Sequence, residues 1–250
     1  MKSEPLVSIL LPVCNASPFL KQAVTSLLRQ SYKNIEIIAI DDFSKDNSYT
    51  ILKAYKKQDR RLRAYRNKKR YTLSICLNRA LRQAKGTFIA FMDPNDIATR
   101  DRIKRQVAFL LHNPHVAAVG TQTILIDENG KKLAKTTLPH DHQTIVHTLL
   151  SGTSLQFETT MIHRLLLPKD LLHFKHAVYP FVFSDLFMKM LPYGELTNLP
   201  WALHYRRKLN DASSQVLKLF PPVIKIWITS FTTDYRLPIR SLFSPLVRQA

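Results

Sequence analysis

At 250 residues, with 45% hydrophobic and 22% charged side chains, the chain can bury one α/β domain and is short for two independent ones. Its 37 Lys and Arg against 18 Asp and Glu give a formal charge of +19, which favours anionic partners: nucleic acid, an acidic leaflet or phosphorylated substrates. Cys14 and Cys76 build neither a disulfide framework nor a zinc motif, the amino terminus does not read as a signal peptide, and no apolar run approaches the ~18 residues that span a bilayer. A cytoplasmic location is therefore expected.

Val7-Ser-Ile-Leu-Leu-Pro12 is a short apolar run of the kind that forms a buried strand. Ser17 is placed to cap the next helix and Pro18 suits its first turn, while Phe19, Leu20, Ala23, Val24, Leu27 and Leu28 recur at helical spacing. Ile35 to Ile40 is a second buried strand ending at Asp41-Asp42, and Asp46 or Ser48 opens a helix carrying Ile51, Leu52 and Tyr55. Leu62 to Tyr65 reads as a strand, Leu73 to Ala84 as a helix, and Phe88 to Met92 as a fourth strand ending at Asp93. This alternation predicts an α/β fold with a parallel sheet and right-handed crossovers. Ligands of such sheets bind beyond the carboxyl ends of the strands. Asn15, Asp41-Asp42 and Asp93-Pro-Asn-Asp96 therefore converge on one rim. After a helix from Ile103 to Leu111 the pattern mixes. Val116 to Val119, Thr121 to Ile126 and Thr159 to His163 read as strands, with a turn at Asp127-Glu-Asn-Gly130. Thr144 to Leu150 and Ser184 to Leu191 read as helices.

Carboxylates at strand ends suit an enzyme that handles a nucleoside diphosphate, since they accept hydrogen bonds from base or ribose and hold a divalent cation. Each has a plainer reading: Asp41-Asp42 as helix caps, Asp93 to Asp96 as a proline-containing turn, Asp185 as an acid at a helix N-terminus. The run from Lys53 to Arg70 is densely basic and interrupted by Asp59 alone, so pairing along a helix cannot neutralise it; an anionic membrane surface would attract it. Aromatic and basic residues interleave from Phe220 to Ala250, as in a segment lying at a membrane interface or a terminal helix packed on the domain. No recognition helix or stacking motif accompanies the charge, so nucleic acid is not expected as a partner.

Several ordered segments give the sequence a family character. Val7 to Asn15, Ser26 to Asn34 and Glu36-Ile-Ile-Ala-Ile-Asp-Asp-Phe-Ser44 are followed by Leu77-Asn-Arg-Ala-Leu81, Ala84-Lys-Gly86 and Phe88-Ile-Ala-Phe-Met-Asp93. Asp101-Arg-Ile103, Val119-Gly120 and Ile126-Asp-Glu-Asn-Gly130 come next. Together they resemble the family 2 glycosyltransferases of bacterial surface-polysaccharide type, over roughly residues 5–215. The resemblance implies a GT-A fold, a Rossmann-like mixed sheet flanked by helices. It implies a nucleotide-sugar-binding half at 1–111, an acceptor-binding half at 112–215, and a basic C-terminal tail at 216–250. Pro12, Cys14 and Asn15 would line the nucleotide pocket, Asp41 would hydrogen-bond the base, and Arg70 and Lys208 would meet the diphosphate. Asp93-Pro94-Asn95 stands at the DxD motif, so Asp93 with Asn95 or Asp96 would hold Mg²⁺ or Mn²⁺. Asp185 would be the general base of an inverting transfer from a UDP- or other nucleotide-sugar to a glycan or lipid-linked acceptor, at the cytoplasmic face of a membrane. Cys14 replaces a common aromatic, Phe43 and Thr72 replace glycines, Asn95 replaces a carboxylate and Ser184 a glutamate. Those departures leave a non-catalytic GT-A-like binding protein as the rival reading.

Overall fold

The computed structural model describes residues 4–149, 154–174 and 181–209. The first two apolar runs form β1 (Val7–Val13) and β2 (Ile35–Asp41), each one residue longer than its pattern predicts. They pair in parallel with each other, with β3 (Leu62–Arg66) outside β2 and β4 (Phe88–Phe91) outside β1.

Alternation along β1 decides which helices cover which face. Val7, Ile9, Leu11 and Val13 enter a core with α1 (Ser17–Leu28), α2 (Ser48–Gln58) and α4 (Arg102–His112). Leu10, with Ile38, Ile40 and Ile89 from its neighbours, enters a second core with α3 (Leu73–Gln83), α5 (His142–Thr148) and α6 (Phe181–Met190). The sheet is thus covered on both faces, which is why its inner strands read as continuous apolar runs rather than alternating ones.

The strand order is β3-β2-β1-β4-β8-β6-β9-β5, with β7 (Lys132–Lys135) on the side of β6. β8 (Met161–His163) runs antiparallel to β4 and to β6 (Val116–Ile126). β9 (Glu195–Arg207) runs parallel to β6, and β5 (Ile97–Ala98) antiparallel to β9. Two of these features differ from the sequence pattern. The two short strands expected across Val116 to Ile126 are one, and β9, the longest strand described, was not expected as a strand.

The entry to α1 also differs. Ala16, not Ser17, is the N-cap, and it offers no side-chain cap. The free amides are capped from the β2–α2 loop instead: Ala16 N–H donates to Ser48 Oγ (2.9 Å) and Ser17 N–H to Asp46 Oδ2 (2.9 Å). Asp46 also accepts from Ser48 N–H at 2.9 Å, so one carboxylate ties two helix starts together. Burial opposes its ionisation, but the hydrogen bonds from Ser48 and Ser17 together outweigh it and hold the carboxyl down to about 2, against 3.8. A depressed folded-state value contributes stability above the unfolded value and loses it as pH falls through the folded one. Asp46→Asn is therefore expected to cost ~2 kcal/mol at pH 7 and almost nothing near pH 2, read from urea midpoints of both chains.

Candidate active site

β1, β2 and β4 end side by side, and their carboxyl ends open into a cleft of about 310 Å³. Pro12 and Cys14 form one side, Asp42, Arg70, Tyr71 and Cys76 the next, Asp93 and Asn95 the floor, and Phe157, Glu158 and Phe183 the far wall.

The two aspartates after β2 are placed differently. Asp41 is fully buried and does not line the cleft; its Oδ2 lies 3.2 Å from Arg66 Nε and accepts from Ser44 N–H at 3.3 Å, while its Oδ1 has no partner. Asp42 does line it, accepting from Asn67 Nδ2 (2.6 Å) and from Tyr71 N–H (2.9 and 3.1 Å to its two oxygens). That last pair of contacts fixes the loop carrying Arg70 and Tyr71 against the strand ends. Phe43 follows with φ 58°, a left-handed conformation costly for a bulky side chain. The Arg66 guanidinium lies 5.5 Å from its ring centroid and 5.0 Å from that of Tyr49, favourable cation–π contacts that offset part of the strain. Asn15, also left-handed at φ 49°, is exposed; it accepts from Lys45 N–H at 2.9 Å and serves the loop rather than the cleft wall.

Asp93 is half-buried at the cleft floor. Its Oδ1 accepts from both the backbone and side-chain nitrogens of Asn95, at 2.8 and 3.0 Å. Burial, and then repulsion from Asp96 and Glu158, push its carboxyl up to about 7 against the two bonds from Asn95. Asp96 is turned elsewhere: Oδ2 accepts from His204 Nε2 (2.8 Å), Oδ1 from Arg207 N–H (2.8 Å), and it does not line the cleft. Burial and Glu158 raise it to about 7 as well. Glu158 itself lies 3.6 Å from Arg206 Nε.

Among the described residues no three His, Cys, Asp or Glu side chains are grouped to hold a metal. The carboxylate of Asp93 and the amide of Asn95, whose Nδ2 faces Asp93 Oδ1 and would have to give way to its oxygen, are ligand types that fit Mg²⁺ or Mn²⁺ in the manner in which such ions bind phosphorylated substrates, with phosphate oxygens and water completing the shell. A cation there would also relieve the repulsion that raises Asp93. The placement of Asp96 removes it from that set.

Asp185 sits on α6, buried, with its Oδ2 against Lys189 Nζ one turn along the helix. It is not part of the cleft wall, which α6 reaches through Phe183. Lys208 is exposed just past β9, its N–H bonded to Ile126 O at 2.8 Å, and it too lies off the cleft. Of the nine residues proposed from sequence other than Asp185, five line the cleft: Pro12, Cys14, Arg70, Asp93 and Asn95. Tyr71, Phe157 and Phe183 line it without having been singled out. Nothing in a single sequence marks them, because they come from loops and an aromatic cluster assembled by folding. Three of the ten basic residues from Lys53 to Arg70 are also structural: Arg61, Arg63 and Arg66 pair with Asp59, Glu36 and Asp41. The tail from residue 210 onward lies outside the described residues.

The sequence profile of glycosyl transferase family 2 matches residues 8–180, and the chain belongs to that family. An uncharacterized glycosyltransferase of Haemophilus influenzae is 34% identical over 161 residues, covering 64% of this chain and 63% of its own length. The putative teichuronic acid biosynthesis glycosyltransferase TuaG of Bacillus subtilis is 33% identical over 162 residues, again 64% and 63%. The chain thus spans less than two thirds of either relative. Among solved structures, S. aureus TarS in complex with UDP-GlcNAc superposes with a TM-score of 0.75 at 20% identity, over 96% of this chain and 71% of that one. The mannosyltransferase PcManGT from Pyrobaculum calidifontis, in complex with GDP-Man and Mn²⁺, gives 0.70 at 16%, over 98% and 69%. The fold is GT-A. No helix among the described residues is long and apolar enough to cross a membrane.

Proposed function

We propose that the chain moves a sugar from a nucleotide-activated donor, foremost a UDP-sugar, to a saccharide or lipid-linked glycan acceptor in surface-polysaccharide biosynthesis. The observation that carries this is the cleft at three parallel strand ends, with the half-buried, repelled carboxylate of Asp93 at its floor and the exposed Arg70 at its edge. TarS, which shares the fold, holds UDP-GlcNAc, and PcManGT holds GDP-Man with Mn²⁺. Residues 1–111 would bind the donor and 112–215 the acceptor.

On this reading the base lies between the Pro12–Cys14 strand end and Tyr71, and Arg70 draws the diphosphate inward. Asp93 and Asn95 would hold Mg²⁺ or Mn²⁺, whose charge offsets that of the departing diphosphate. Asp185 takes the proton of the acceptor hydroxyl, which displaces the nucleoside diphosphate from the opposite face and inverts the anomeric carbon. For that, the Asp185 carboxylate must exchange Lys189 for the hydroxyl. The exposed Lys53, Lys56, Lys57, Arg60, Lys68 and Lys69 suit an anionic membrane surface, at about 1 kcal/mol each when close to it.

The Asp185–Lys189 pair also favours a second reading, a GT-A-like binding module without turnover. Thermal midpoints with UDP, GDP, CDP and dTDP, each with and without Mn²⁺, test the proposal. A nucleotide at ~100 times its Kd adds about 2.7 kcal/mol, a rise of roughly 5–10 °C for a chain of this size. No shift with any of them, from a folded sample, would overturn the donor reading. Binding together with full turnover in Asp185→Asn would remove Asp185 as the base.

A further inference from the structure

Arg102 is fully buried, and it is the largest side chain in the protein to be so among the described residues. Burying a guanidinium in place of a hydrophobe usually gains little stability, because desolvation offsets the attraction of its partners. Its bonds go to one place. From α4, Nη2 donates to Phe91 O at 2.7 Å and Nη1 meets Met92 Sδ at 3.6 Å, the two residues that lead into Asp93. Nη1 also lies 3.2 Å from His204 Nδ1, and Nε lies 3.2 Å from Gln106 Oε1. Gln106 in turn donates to Val119 O and Thr159 O, which anchors the guanidinium to β6 and to the segment carrying Glu158.

The histidine passes the constraint on. A guanidinium only donates, so His204 Nδ1 is the acceptor and Nε2 carries the proton. That proton is donated to Asp96 Oδ2 at 2.8 Å, at the far end of the same loop. Arg207 closes the arrangement from β9: its N–H donates to Asp96 Oδ1, its Nε to Asn95 O at 3.0 Å, and its Nη2 to Gln22 Oε1 at 2.8 Å. One buried guanidinium therefore holds the entry of the Asp93–Asp96 loop directly and its exit through one imidazole.

We propose that Arg102 and His204 are positioning residues for the donor end of the cleft: they hold both ends of the Asp93–Asp96 loop and keep Asp96 turned away, so that Asp93 and Asn95, without Asp96, face the diphosphate and its cation. The inference rests on the nucleotide-donor reading above. Neither residue touches the cleft; they act through Asp93 and Asn95.

The test is the affinity of UDP, GDP, CDP and dTDP, each with and without Mn²⁺, for the parent chain and for His204→Leu, His204→Gln and Arg102→Lys, by titration calorimetry, with a thermal midpoint for each chain. Leucine leaves Arg102 Nη1 and Asp96 Oδ2 without their partner. Glutamine carries an acceptor and a donor on one amide and can replace both bonds. The Mn²⁺-dependent part of the affinity is expected to fall ~10-fold or more in His204→Leu, the usual cost of losing a group that orients a metal ligand. Metal-free affinity should stay within about twofold by the same argument, and His204→Gln should recover most of the loss. If His204 and Arg102 only support the fold, His204→Leu lowers the midpoint and leaves the Mn²⁺ dependence at the parent value, which overturns the proposal. Should His204→Leu fail to fold, Arg102→Lys decides: lysine lacks the planar fork that reaches Phe91 O and His204 from two separate nitrogens, so parent-like Mn²⁺ dependence in that variant overturns it too. A parent chain that binds none of UDP, GDP, CDP and dTDP with Mn²⁺ overturns the donor reading first, and this inference with it.

Discussion

Asp93→Asn is expected to lower sugar transfer by ~10²–10³-fold, the usual loss when a preorganised group at a charged leaving group is removed, and to make the folded chain more stable at pH 8. The two effects share one cause. The Asp93 carboxyl is raised to about 7 from 3.8 by burial and by Asp96 and Glu158. Between those values the native chain keeps a proton that the unfolded chain has lost, so stability falls as pH rises from about 4 to 7 and stays low above it. An amide at this position accepts the same bonds from Asn95 without the charge. Because Asp96 and Glu158 share the repulsion, a gain on the order of 2 kcal/mol at pH 8 is expected, vanishing by pH 4. Urea midpoints at both pH values, with a transfer assay at pH 8, read it out. Full turnover would remove Asp93 from the mechanism, and a variant less stable at pH 8 would overturn the electrostatic account. If Mn²⁺ binds beside Asp93 as proposed, the same charge repulsion is expected to make Mn²⁺ with a nucleotide more stabilising at pH 8 than at pH 5, read from thermal midpoints.

Phe91→Ala is expected to cost ~3–5 kcal/mol, a large part of the 5–15 that a domain possesses. Phe91 ends β4 with 1% of its surface exposed, its ring centroid 4.0 Å from that of Phe157 and 6.1 Å from that of Phe174. Phe157 stacks on Phe183 with its own centroid 3.3 Å away, and both form the cleft wall. The cavity therefore opens directly behind the site, and donor binding should weaken along with the fold. Phe91→Leu keeps most of the volume and should recover most of the stability. Denaturant midpoints of the three chains check the ranking; an alanine variant within 1 kcal/mol of the parent would show that the aromatic cluster collapses to fill the gap.

The parallel half of the sheet was legible because its strands are buried on both faces. Val7 to Val13 and Ile35 to Asp41 are unbroken apolar runs closed by polar residues, and few other structures produce that pattern. Asp93 and Asn95 followed from the topology rule for strand ends. The antiparallel half was harder. β8 keeps only the last three residues of the strand read at Thr159 to His163, and β5 has two, too few for any period to register. β9 was hidden by Pro200 and Trp201 at its centre, where its pairing with β6 shifts register between Thr121 and Gln122, so no inward-outward alternation survives along its length. The site was read in part for the same reason. Residues on the rim are placed by strand ends, whereas Asp42, Tyr71 and His204 owe their roles to bonds across 25 to 108 positions of sequence. Adjacency in Asp41-Asp42 could not reveal which carboxylate turns inward to Arg66 and which lines the cleft.

The span of those bonds bears on how the molecule comes together. Arg102 can brace the entry of the Asp93 loop early, across 10 and 11 positions, yet the supports of its exit arrive with β9: Asp96 meets His204 across 108 positions and Gln22 meets Arg207 across 185. Closing such long loops is slow relative to forming the local β1–α1–β2 contacts. During synthesis the chain would carry a formed nucleotide-side sheet with an Asp93 loop braced at its entry alone, and competence to hold a charged donor would emerge in one late step, when the strand that carries His204 and Arg207 docks between β6 and β5.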